Sequence, residues 1–147
     1  MDDIMAIAAE IIRRADMLCL GTRGAEEYPL MRALFNLRNP ERFPTLADFF
    51  EDKGLTVYLG TNTSSAKLAQ VQAQPWVSVY YMIPAEFKGL MLAGKAVPDP
   101  EARKAIWVEG WERYYPMGRD DPDYQVLRIE PVRARGWFEG RAFDVDL

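Results

Sequence analysis

Residues 55–83 read LTVYLGTNTSSAKLAQVQAQPWVSVYYMI. LTVYLGT, rich in β-branched and aromatic residues, predicts a strand. Hydroxyls then crowd at Thr61, Thr63, Ser64 and Ser65, and Ser64 to Gln74 is predicted as a helix stopped by Pro75. WVSVYYMI alternates and predicts the next strand. The charge at the helix entrance is unusual. A capping box sets Glu or Gln three residues after Ser or Thr, whereas Ser64 is followed at that distance by Lys67. A cation in a first turn opposes the helix dipole by roughly a few tenths of a kcal/mol, so a negative group is expected nearby. Hydroxyls and free N–H groups at a helix start, with a lysine as counter-charge, suit a phosphate. A Walker A loop would need a second glycine and a hydroxyl directly after the lysine, and here Leu68 follows Lys67, which argues against a nucleoside triphosphatase. An ordinary Ser-capped helix with a solvated lysine is the alternative.

Working upstream, residues 3–14 carry Ile4, Ile7, Ala8, Ile11 and Ile12 at helical spacing, with Asp2 and Asp3 leading and Arg13 and Arg14 closing. DMLCLGT and YPLMRALFNL, joined by a turn containing Gly24, predict an antiparallel hairpin. Arg32 lies in the second of these strands and shares a face with Leu30 and Leu34. A guanidinium on an apolar face calls for an anionic partner, unless the strand is an edge that lets it reach solvent. TLADFFED predicts a short capped helix ending at Gly54.

Downstream, LMLAGKAV predicts a fifth strand and residues 99 to about 114 a second long helix, with Pro100 near its first position. Trp107 and Trp111 would then lie one turn apart on it, as core or interface residues. YYPMGRDDPDY is read as a loop, and QVLRIEP and VRARGWFEG as strands six and seven. Asp120, Asp121 and Asp123 do not have the spacing of an EF-hand loop and are read as a solvated acidic turn, with no metal site expected. Several strands at short intervals with few helices predict a small, mostly antiparallel β-barrel with helical elaborations, in a single domain spanning 1–147.

Composition narrows the chemistry. The chain has 147 residues, 49% of them hydrophobic, enough for a real core. Its 18 basic and 22 acidic residues give a net charge of -4 without a Lys/Arg-rich run, so no nucleic-acid partner is expected. With no histidine, Ser-His-Asp and Cys-His machinery, His-based zinc sites and His-ligated haem are excluded. Cys19 is the one cysteine, so there is no intramolecular disulfide, and its apolar neighbours predict a buried, inert thiol. The N-terminal charge order is the reverse of a secretory signal and no apolar run suits a membrane span, so a cytoplasmic location away from membranes is expected.

The order of elements resembles the FMN-binding split-barrel superfamily, which includes the pyridoxamine 5′-phosphate oxidases, and within it the general stress protein 26-like branch. TNTSSAK is similar to the family's TxxxSxK signature at Thr61, Ser65 and Lys67, and YPLMRAL resembles the segment whose arginine reaches the flavin phosphate. LAGKAVPDPEARKAIW, YPMGRDDPDYQVLRIEP and the tryptophan of RARGW resemble the stress-protein branch, so the likeness runs from Asp16 to Trp137. It implies a mainly β fold with helices, an antiparallel split β-barrel, acting as a homodimer with FMN at the subunit interface. Carried over by residue, it implies that Arg32 and Lys67 pair with the FMN phosphate and that Thr61 and Ser65 contact the phosphate and ribityl chain. Ala33, Leu34, Gly60 and Thr61 would border the ring, and Trp137 matches a position near the flavin. The implied activity is an FMN-dependent oxidoreductase on an unknown small molecule. The alternatives are a flavin-binding or stress-response module without turnover, or a split barrel using another phosphorylated cofactor such as F420. Two departures stand out. Met31-Arg32-Ala33 replaces the branch's common Arg-Pro-Met, and EGRAFDVDL lacks the Arg-Leu-His-Asp-Arg-like segment with which pyridoxamine-phosphate oxidases grip substrate.

Overall fold

Strand pairing, more than helix packing, organises the chain, as its many short β-rich runs require. The structure, a computed structural model, describes residues 2–147. Helix α1 is Asp2–Arg14, and the strands are β1 Met17–Thr22, β2 Leu30–Phe35, β3 Val57–Asn62, β4 Trp76–Ile83, β5 Lys88–Pro98, β6 Tyr124–Phe138 and β7 Arg141–Asp146. Short helices α2 (Ala47–Phe50), α3 (Ala66–Ala73) and α4 (Pro100–Ala105) fill the connections. All seven strands form one antiparallel sheet in the order β2-β1-β4-β5-β6-β3, with β7 also on β6. The sheet curls into a nearly closed barrel whose path ends at β2 and β3, which are not hydrogen-bonded to each other. That gap is the split.

The period of two sorts residues into two cores. Leu18, Leu20, Val57, Leu59, Val79, Tyr81, Leu90, Leu92, Leu127 and Ile129 fill the barrel interior, which Ala8, Ile11 and Ile12 of α1 cover. On the other side of β3 and β6, Tyr58, Tyr124 and Val126 join Phe43, Phe50, Ile106, Trp111 and Tyr115 in an aromatic cluster. β3 and β6 thus act as a wall between the two.

Four expectations need correction. The helix expected over 99–114 stops at Ala105: Ile106 is extended and fully buried, and Gly110 has φ 100°, a left-handed conformation that suits glycine. Trp107 and Trp111 therefore do not share a helix, and both rings turn into the aromatic cluster. Expected strands six and seven are one strand, β6, in which Pro131 sits at an irregularity where the β5 register shifts between Ala93 and Gly94. Proline, having no N–H to donate, is tolerated at such a bulge. The segment after Gly140, for which no element was expected, is strand β7, which turns Phe143 and Val145 towards the core. Finally, Cys19 is only partly buried, on the outward face of β1 beside Ala33 and Tyr80.

Candidate functional site

The split carries a cleft of about 390 Å³, of the size that small ligands occupy. β2 supplies Ala33, Leu34 and Phe35 on one side, and β3 supplies Gly60 and Asn62 on the other. Trp111, Tyr114, Tyr115 and Tyr124 form an aromatic wall, and Lys67 enters from α3. A Cβ built on Gly60 meets no atom within 4 Å, so the missing side chain leaves that part of the cleft open.

Ser65, rather than Ser64, caps α3: its Oγ accepts from the Leu68 N–H at 3.2 Å. The negative group at the helix entrance is Asp123. Its carboxylate accepts from Ser64 N at 2.8 Å and from Asn62 Nδ2 at 2.9 Å, bonds that hold its pKa below the usual carboxylate value, the Asn62 bond foremost. Asp121, which is buried, accepts from the N–H groups of Met117 and Asp123. These two residues of the expected solvated turn are therefore tied into the backbone, and they bind loop to helix start.

Lys67 forms no ion pair with Asp123. Its Nζ donates to Thr61 Oγ1 at 2.6 Å, and Thr61 Oγ1 lies 3.2 Å from Ser65 Oγ. Partial burial, with Arg32 adding to it, lowers the lysine's pKa from 10.5. Arg32 reaches the same helix from β2. One terminal nitrogen donates to Thr22 Oγ1 at 2.7 Å and the other to Gln70 Oε1 at 3.0 Å. Among the described residues, no carboxylate lies within ion-pair distance of Arg32 or Lys67. Two neighbouring cations without a counter-charge are costly in a partly buried site, and an anion would relieve that cost.

The structure thus brings together Arg32, Ala33, Leu34, Gly60, Thr61, Ser65 and Lys67 around the split. Trp137 is elsewhere: it pairs with Gly89 near the far end of β6 and stacks edge to face on the exposed Phe87. Sequence reading missed Asn62, Thr22, Gln70 and the wall of Trp111, Tyr114, Tyr115 and Tyr124. Burial first, then Asp123 and Asp121, pushes the Tyr115 hydroxyl up to about 12, so it remains a neutral hydrogen-bonding group.

The family profile described as pyridoxamine 5′-phosphate oxidase matches residues 5–138, nearly the whole chain and every strand but β7. The chain belongs to that family. Within the pyridoxamine 5′-phosphate oxidase family it is similar to general stress protein 26 of Bacillus subtilis, with 33% identity over 104 residues, 67% of this chain and 73% of that protein. In three dimensions it is similar to a Clostridium acetobutylicum protein related to that stress protein, with a TM-score of 0.79, 24% identity, and 100% and 96% of the two chains covered. A Nostoc punctiforme protein described as pyridoxamine 5′-phosphate oxidase-related and FMN-binding gives a TM-score of 0.64 at 18% identity, over 99% and 95% of the chains. These likenesses establish the antiparallel split barrel. No helix among the described residues is long and apolar enough to cross a membrane.

Proposed function

We propose that this chain is an FMN-binding flavoprotein, a single domain over 1–147 that works as a homodimer and serves as an oxidoreductase on a small molecule. The observation that carries the reading is a pair of cations without a carboxylate partner: Lys67, which lines the cleft, and Arg32, its neighbour on β2 beside the cleft-lining Ala33. A phosphate monoester between them supplies the missing charge, with Thr61 and Ser65 offering hydroxyls. Ala33, Leu34 and the open backbone at Gly60 border the ring, in keeping with the space left by the absent Cβ. FMN, when bound, supplies hydride or electron transfer at its ring, while the protein positions it and excludes water.

The homodimer reading rests on the outward face of the sheet, where Met17, Met31, Phe35 and Met82 are exposed. Trp137, exposed at the far end of β6, reaches a flavin site only from the partner subunit in this reading. Among the cleft-lining residues the ionisable groups are Lys67 and tyrosines, with no carboxylate. That favours, as a second reading, a flavin-binding module that does not turn over by itself.

An absorption spectrum with and without added FMN, followed by anaerobic NADH and NADPH, tests both readings. Bound and reduced flavin supports the oxidoreductase, whereas bound flavin that neither reductant bleaches supports the module. No binding overturns both. Arg32→Ala and Lys67→Ala each remove a charge-assisted hydrogen bond of about 1.5–3 kcal/mol. Each is expected to lower FMN affinity roughly tenfold to a hundredfold with the circular dichroism spectrum unchanged. Unaltered affinity in both variants removes the phosphate assignment. Light scattering behind size exclusion reads the dimer, and a monomer at micromolar concentration with flavin bound overturns it.

A further inference from the structure

The surroundings of Arg32 deepen this reading and depend on it. Thr22 is 1% exposed, on the inward face of β1, and its Oγ1 both accepts from Arg32 at 2.7 Å and donates to Gln70 Oε1 at 2.7 Å. Gln70 Oε1 also accepts from the other terminal nitrogen of Arg32 at 3.0 Å. Three side chains from β1, β2 and α3 close a ring of hydrogen bonds. Gln70 lies three residues beyond Lys67, on the same side of the helix. Both groups holding the guanidinium are neutral. A carboxylate at either position would orient Arg32 equally well but would cancel its charge and that of nearby Lys67.

We propose that Thr22 and Gln70 are positioning residues that hold Arg32 through neutral acceptors alone, so that its full charge stays available to the phosphate of the ligand. They act through Arg32 and do not touch the ligand's ring. Their effect is therefore confined to ligands that carry the phosphate.

The test compares FMN with riboflavin, which lacks the phosphate, by flavin fluorescence titration of the full chain. Gln70→Leu frees one fork of the guanidinium and is expected to weaken FMN binding about tenfold while riboflavin binding holds. Gln70→Glu keeps the geometry and pairs the charge. It is expected to weaken FMN binding at least as much and to flatten its salt dependence. Thr22→Ser, which keeps the hydroxyl, is expected to match wild type, whereas Thr22→Val is not. An equal loss for FMN and riboflavin in Gln70→Leu makes the role structural and overturns the proposal. So does a Gln70→Glu variant that binds FMN like wild type. If wild type binds inorganic phosphate but not FMN, the flavin reading alone fails. The Gln70 and Thr22 comparisons are then read by phosphate titration, with the same expected losses. Wild type that binds neither FMN nor phosphate overturns both.

Discussion

The barrel interior and the aromatic cluster lie on opposite sides of β3 and β6, and they are built from different chemistry. Inside the barrel, leucine, isoleucine, valine and alanine predominate, and most are under 2% exposed. Across the wall, Phe43, Phe50, Tyr58, Trp111, Tyr115 and Tyr124 meet in edge-to-face and tilted pairs, with the tilted Tyr115 and Tyr124 rings 4.9 Å apart. The aliphatic interior, away from the polar end of β1 at Thr22, offers a ligand few groups to hold. The aromatic side is unfinished at its rim, where Phe35 and Tyr114 remain more than 40% exposed. Rings with polar edges can hold a core together and still present a surface to a bound molecule. Residues one apart on a single strand therefore have opposite tasks: Leu59 fills the barrel, and Gly60 leaves the cleft open.

That contrast is open to attack from either side. Leu92→Ala, at a fully buried barrel position, is expected to cost about 2–5 kcal/mol in urea unfolding. The molecules that remain folded should keep wild-type flavin affinity, and a parallel loss of affinity would show that interior and cleft are not separable. Gly60→Val inverts the test. With no atom within 4 Å of its Cβ, the added side chain starts in open space in the free protein and extends into the cleft a ligand would use. Stability is expected to hold while FMN affinity falls by about 1–3 kcal/mol, the usual cost of overpacking. Binding unaffected by the added valine would move the ring away from this wall.

The pH dependence is a smaller effect. Lys67 has a pKa lowered from 10.5 by burial, so its charge is lost earlier on an alkaline titration than that of an exposed lysine. FMN binding is expected to weaken as pH rises through that lowered value, and Lys67→Arg is expected to remove this limb. The stability sign is opposite. The penalty for holding Lys67 charged in the fold is full below the folded pKa and is relieved as pH rises towards the unfolded value. The smallest effect is expected at Glu86, which bonds the exposed Arg14 and the largely buried Lys88 and has its pKa held down to about 2 by them, Arg14 foremost. Its contribution is present above the ordinary carboxylate pKa and is lost as pH falls through about 2. Glu86→Gln should leave neutral-pH stability almost unchanged, because exposed ion pairs contribute little. A marked loss would mean that the barrel end under α1 depends on this pair.

Much of this was readable from residues alone. The β-branched and aromatic content of LTVYLGT and the alternation in WVSVYYMI placed β3 and β4, and the hydroxyl cluster before Lys67 marked α3, because these signals are local. Ser65 rather than Ser64 became the cap, a one-residue difference that hydroxyl clusters leave open. The helix over 99–114 failed for a nonlocal reason. Its residues have adequate helical spacing, but Ile106, Trp107 and Trp111 gain more by turning into a core formed with β3 and β6. β7 escaped notice because its apolar residues, Phe143 and Val145, only make sense once β6 stands beside them.

By itself the sequence determined the order of strands and helices as far as β5, the absence of histidine chemistry, and the presence of two cations near segments that can hold an anion. Those properties reside in composition and in patterns of two to four residues. Only the tertiary structure decided that the barrel stays open between β2 and β3 and that Asp123, not a neighbour of Lys67, serves the start of α3. It also decided that Thr22 and Gln70 meet at Arg32. Thr22 and Gln70 are far apart along the chain, and no local preference of either encodes the meeting. It exists because antiparallel pairing of β1 with β2 and the packing of α3 on the barrel bring the three side chains to one point.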